Sequence, residues 1–320
     1  SRKEIKIDKL PLIISPMDTV VDESNAQQYL DNGYTVCLPR YISYKEELKE
    51  CFFSYGLYEI EKLINNNSVE ADNVLIDIAN GNMQKLFDIV KLFKKSYPNK
   101  ILMVGNVANP ETYKKLSELG ADMIRIGVGN GNVCLTSQQL GIGYPMGSLV
   151  EDCKLLKDTH DLNASIIADG GFKKYADIIK ALAVGSDNVM LGSIMNKCLE
   201  SCGDSYVKQH SASEQKRFPY NKISNEDAKK EFEEGRNIYK KFRGMSTKEV
   251  QQKWGKEKIT TSEGIVKYNK VEYTLEGWTE NFKDYLKSAM SYCDSLTLED
   301  FVGMVDYNFI TQNAFNRFNK

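Results

Sequence analysis

The chain repeats one pattern: a short, mainly apolar run, a turn, then an amphipathic stretch. Runs of four to seven residues occupy Pro11–Met17, Thr35–Pro39, Val74–Ala79, Ile101–Val107, Met123–Val128, Ser165–Ala168 and Asn188–Ile194. Each is rich in Val, Ile or Leu and bounded by Gly, Pro, Asn or Asp. Continuous rather than alternating apolarity means that both faces are covered, as in buried parallel strands. An eighth, less regular run lies near Cys51–Leu57. The stretches between them read as helices. Met83–Ser96 sets Leu86, Ile89, Val90 and Phe93 on one face. Pro110–Leu119 opens with Asn109 as N-cap before a first-turn proline, and Lys174–Val184 follows the Ala168–Gly171 turn. Repeated strand–helix units imply a parallel sheet with right-handed crossovers. Five or six would leave an open doubly wound sheet; eight close into a (β/α)8 TIM barrel. The count favours the α/β barrel, a single catalytic domain over residues 1–320.

After Ile194 the texture changes. Gln209–Thr261 is polar, with many Lys, Glu, Asn and Ser, and reads as a mobile excursion rather than a second core. Loops after barrel strands build the active site, so residues 209–264 are expected to form a flap over it.

Net charge is −2. That balance speaks against a general nucleic-acid or membrane-surface binder, which needs a basic excess. The seven cysteines form no CxxC pair, and neither His160 nor His210 lies near a cysteine cluster, so a structural zinc site is not expected. No run reaches the ~20 apolar residues of a membrane span, and Ser1–Leu10 has no signal-peptide core. The expectation is a reduced, cytoplasmic protein without disulfides.

Glycines cluster where the apolar runs end: Gly127 through Gly131, Asp169-Gly170-Gly171, and Gly192-Ser193. They either terminate strands or let backbone N–H groups surround an anion. In barrels, phosphate sits on the loops after the seventh and eighth strands, which are the last two clusters. Gly127–Cys134 matches a dinucleotide GxGxxG only loosely and lacks the acidic partner on a second strand. Cys134, at the end of this loop, is either an inert thiol or a nucleophile exposed at a strand end. Activation would then come from loop dipoles or substrate, because histidine is so scarce.

These residues resemble the IMP dehydrogenase / GMP reductase family from about Pro11 to Gly303. The matching segments, in the family's order, are Ser15–Val20, Gly105–Ala108, Gly127–Thr136, Ala168–Gly171, Val189–Ser193 and Arg243–Ser246. The resemblance implies a barrel, usually a homotetramer, whose cysteine attacks C2 of a purine nucleotide. Asp77–Gly81, Gly141–Pro145 and Thr261–Gly264 look like the reductase branch. The 34 residues between Pro39 and Val74 are too few for the regulatory domain that dehydrogenases usually insert there.

The reaction so implied is NADPH-dependent conversion of GMP to IMP and ammonia. Cys134 would be the nucleophile, with Thr136 and Glu263 relaying the proton to the amine. Asp169 would bind the ribose; Asn132, Gly170, Gly171, Gly192 and Ser193 the phosphate; Gly244, Met245, Ser246 and Ser262 the base. Asp77, Ala79 and Asn80 would meet the cofactor. Carbonyls of Gly129, Gly131 and Cys134 resemble the family's potassium loop. Asn132 stands where the family usually has serine, and Thr260 where reductases usually have arginine. The alternatives are an IMP dehydrogenase without the regulatory domain and an inactive barrel that only binds purine nucleotides.

Overall fold

The computed structural model describes residues 5, 7, 9–132, 134–208, 220–244 and 265–318. Eight parallel strands close in sequence order: β1 (Leu12–Ile14), β2 (Thr35–Leu38), β3 (Phe52–Tyr55), β4 (Asn73–Asp77), β5 (Ile101–Val107), β6 (Met123–Ile126), β7 (Ser165–Asp169) and β8 (Asn188–Leu191). Closure is made by β1 pairing with β8, Ile13 opposite Met190. The fold is therefore the expected (β/α)8 barrel, and the irregular run near Cys51 is its third strand.

Strand side chains alternate between faces, so two packed layers follow. The outer faces meet the helices, among them Gln84–Ser96, which buries Leu86, Phe87, Ile89, Val90 and Phe93. The helix Pro110–Glu118 begins as its sequence suggests: the Asn109 side chain accepts from the Glu111 N–H at 2.8 Å. The inner faces form an apolar plug from every strand: Ile13, Cys37, Phe52, Leu75, Met103, Met123, Ile167 and Met190. Two residues further along each strand lies the next inward ring, towards the C-terminal mouth. It holds Ser15, Pro39, Ser54, Asp77, Gly105, Arg125, Asp169 and Gly192, all but Pro39 polar or glycine. The change from apolar to polar between consecutive rings sets the floor of a site at the mouth.

The late polar stretch is not all loop. Strand β9 (Ser205–Lys208), β10 (Tyr220–Ile223), β11 (Ile238–Arg243) and β12 (Val266–Lys270) form an antiparallel sheet in the order β10-β9-β11-β12. The helix Asn225–Glu233 packs on it, and Ala228, Ile238 and Val271 form a small core. Polarity hid these elements because the strands are short and rich in polar residues, even where they are buried, as at Lys240 and Arg243. Residues 209–219 and 245–264 of the expected flap lie outside the described residues.

Lys240 on β11 is 1% exposed and donates to the Ser201 carbonyl at 2.8 Å. Burial pulls its ammonium down to about 8, partly offset by Cys202, Glu200 and Asp204. The unfolded chain keeps the ordinary value near 10.4, so between about pH 8 and pH 10 it holds a proton that the folded chain releases. Stability from this group therefore rises with pH across that window. Lys240→Met should remove this rise. Its stability advantage over the unaltered chain should shrink by on the order of 1–2 kcal/mol between pH 7.5 and 9.5 in urea titrations. A constant difference would show that Lys240 does not titrate there.

Candidate active site

At the centre of the mouth a guanidinium bridges two carboxylates. Arg125 reaches Asp77 at 2.7 Å and Asp169 at 2.8 Å, with all three side chains largely buried. Burial works against the charged arginine, but Asp169 and Asp77 more than offset it and hold the guanidinium above its ordinary range. Room for it comes from Gly105, where a Cβ would stand 2.5 Å from the Arg125 Cβ. Asn106 adds a bond from its amide to Asp169 at 2.8 Å and another to the Gly127 carbonyl at 2.9 Å. Asp77 and Asp169 are expected cofactor and ribose ligands, so the structure brings these two expected positions onto one support. Arg125 is not singled out by its sequence, and Asn106 stands out only as part of the matching segment Gly105–Ala108. The one signal for Arg125 was a charged residue inside the apolar run Met123–Val128.

The glycine loop after β6 leans on the turn after β7. Gly127 has φ +124° and passes so close to the Asp169 carbonyl that a Cβ would lie 2.4 Å from it. Gly170 and Gly171 also have positive φ, with space for a Cβ closed by Asn130 and the Gly131 nitrogen. These glycines are therefore required by backbone approach, beyond ending strands.

Cys134 is half-buried on this loop. Its backbone N–H donates to the Gly131 carbonyl at 3.0 Å, and its Sγ lies 3.2 Å from Thr136 Oγ1. Thr136 opens the short helix Thr136–Leu140. Thiol and hydroxyl thus stand side by side. By contrast Cys37, Cys51, Cys153 and Cys198 are buried, and burial raises each thiol above its ordinary value. The Asn132 amide bonds the Ser193 hydroxyl, joining the loop after β6 to the Gly192–Ser193 turn after β8. Ala79 and Asn80 are exposed just beyond β4, on the Asp77 side of the mouth.

Of the three carbonyls expected to hold potassium, Gly129 accepts from Ser137 Oγ at 3.2 Å and Gly131 from Cys134 N. Each keeps a second lone pair, so this donor set suits a hard cation. Gly244 is buried and its N–H donates to the Ile265 carbonyl at 3.2 Å. Met245, Ser246, Ser262 and Glu263 lie outside the described residues. Arg243 forms a buried ion pair with Asp18, tying β11 to the loop after β1. A cleft of about 290 Å³ is lined by Asn130, Gly170, Gly171, Met146, Phe172 and Ala181. Neither Cys134 nor Asp169 borders it. Among the described residues, no helix is long and apolar enough to cross a membrane.

A model of the IMP dehydrogenase / GMP reductase domain family matches residues 56–318. The inosine-5'-monophosphate dehydrogenases of Staphylococcus aureus strains Mu50 / ATCC 700699, USA300 and NCTC 8325 / PS 47 are each 35% identical to it over 214 residues. That is 64% of this chain, which spans only 41% of the length of each of these curated relatives.

Breaking a buried ion pair by removing one partner strands the other charge. Arg125→Met should cost ~3–5 kcal/mol of folding stability, read from denaturant midpoints at neutral pH. A loss below about 1 kcal/mol would show that Asp77 and Asp169 do not depend on it.

Proposed function

Because this chain belongs to the IMP dehydrogenase / GMP reductase family, oxidoreductases that use a nicotinamide cofactor, we propose that it is a GMP reductase. The reaction is the conversion of GMP to IMP and ammonia. The observation that carries the reading is Cys134, half-buried beside the Thr136 hydroxyl on a glycine loop packed against Asp169–Gly171. A purine lying over that loop presents C2 to the sulfur.

Cys134 Sγ bonds to C2 as a thiolate. The bond from C2 to the exocyclic amine then breaks, and that amine needs a proton to leave as ammonia. Thr136 and Glu263 relay that proton. NADPH, when bound, supplies the hydride that C2 requires before the carbon–sulfur bond breaks and IMP departs. Asp77, Ala79 and Asn80 line the cofactor's side, and Asp169 accepts hydrogen bonds from the ribose. Gly170, Gly171, Gly192, Ser193 and Asn132 take the phosphate; Gly244, Met245, Ser246 and Ser262 take the base. Carbonyls of Gly129, Gly131 and Cys134 would hold potassium, whose charge would stiffen the loop under the sulfur. The assembly in this reading is a homotetramer in the cytoplasm, with 209–264 closing over the bound nucleotide.

The reductase direction rests on the segments Asp77–Gly81, Gly141–Pro145 and Thr261–Gly264. A second reading is favoured by the names of the relatives: oxidation of IMP, in which water rather than hydride reaches C2. One assay separates the two. With GMP and NADPH in potassium buffer, a reductase consumes the reduced cofactor and releases one ammonia per turnover. Turnover of IMP with NAD instead would overturn the proposal. Cys134→Ser should retain GMP binding and lose turnover by at least ~10³-fold, because a hydroxyl is a far weaker nucleophile. Glu263→Gln should slow ammonia release more than hydride transfer in single-turnover measurements. Equal slowing of both steps would remove Glu263 from the proton relay.

A further inference from the structure

The residues assigned to the phosphate are Asn132, Gly170, Gly171, Gly192 and Ser193, and none carries a positive charge. A phosphomonoester brings nearly two negative charges. The antiparallel sheet supplies a cation at this place. Lys267 on β12 donates from Nζ to the Asn132 backbone carbonyl at 3.0 Å, while the Asn132 side chain holds the Ser193 hydroxyl. Two residues further along the same face of β12, Asn269 donates to Asn196 Oδ1 at 2.8 Å. Asn196 ends the short helix that Ser193 begins. One face of β12 therefore runs along this helix, with Asn269 docked at its far end and Lys267 near Ser193.

The strand is not free to drift. Its register against β11 sets Lys267 opposite Phe242 and Val266 opposite Arg243, and Arg243 pairs with the buried Asp18. Lys267 is exposed and has no carboxylate partner among the described residues. Its ammonium has three donors and spends one on the loop carbonyl.

We propose that Lys267 is a binding residue for the phosphate of a nucleoside monophosphate, a role that rests on the nucleotide reading above. The phosphate enters between Ser193 and Lys267. The ammonium donates to a phosphate oxygen and stays on the Asn132 carbonyl, so the sheet is held to the barrel mouth when a phosphorylated ligand is present. A compact point charge suits a tetrahedral oxyanion, and it selects nucleotides over nucleosides.

The test is calorimetric binding of GMP and of guanosine to the unaltered protein, Lys267→Gln and Lys267→Arg. The glutamine keeps a donor for the Asn132 carbonyl and loses the charge; the arginine keeps both. For Lys267→Gln, GMP affinity should fall roughly tenfold while guanosine affinity stays unchanged. Lys267→Arg should hold GMP affinity within about threefold. Equal weakening of both ligands would make Lys267 a purely structural tie and overturn the inference. GMP binding untouched by Lys267→Gln would overturn it while leaving the nucleotide reading intact. Failure of the unaltered protein to bind GMP would overturn both.

Discussion

A buried guanidinium between two carboxylates is the constraint on which the mouth of this barrel depends. Arg125 lies one ring above an apolar plug that has nothing to offer a charge. It is tolerable only because Asp77 and Asp169 neutralise it from opposite sides. Those same carboxylates end β4 and β7, so compensating one charge fixes the ends of two strands relative to each other. The bond from Asn106 to Asp169 and the close passage of Gly127 over the same turn extend that fixity to the loop carrying Cys134. The position of the sulfur is thus inherited from an electrostatic requirement several residues away.

The second half of the arrangement comes from outside the barrel. The antiparallel sheet is attached by the Asp18–Arg243 pair, the Asn269–Asn196 bond and the Lys267 contact with the glycine loop. Its edge stands over the ring of strand ends. The loop after β6, the turn after β8 and the edge strand of the sheet are thereby linked through Ser193, Asn132 and Lys267. That meeting point is where the proposed reading puts the phosphate, the part of the ligand most suited to bridging them.

Much of this was legible in the sequence, and the remainder was hidden for physical reasons. Eight strands could be found because burial on both faces forces continuous apolar runs. Glycine clusters marked the strand ends because close backbone approach leaves no space for a Cβ. Cys134 stood out against six other cysteines through its neighbours. Strands 220–223 and 238–243 lie inside the stretch expected to be a mobile excursion, since polar residues, Lys240 and Arg243 among them, leave the sheet little hydrophobic signal. Arg125 was passed over inside an apolar run, although a charge in such a run must find partners. Lys267 looked like any surface lysine; only the register of β12 gives it a destination.

The claim at the centre of this account is spatial, so a crystal structure with GMP bound tests it most directly. The purine should lie over the loop after β6, with C2 within about 3.5 Å of Cys134 Sγ and the phosphate against Gly192 and Ser193. A purine seated elsewhere, or a sulfur turned away into the aliphatic packing, would contradict it.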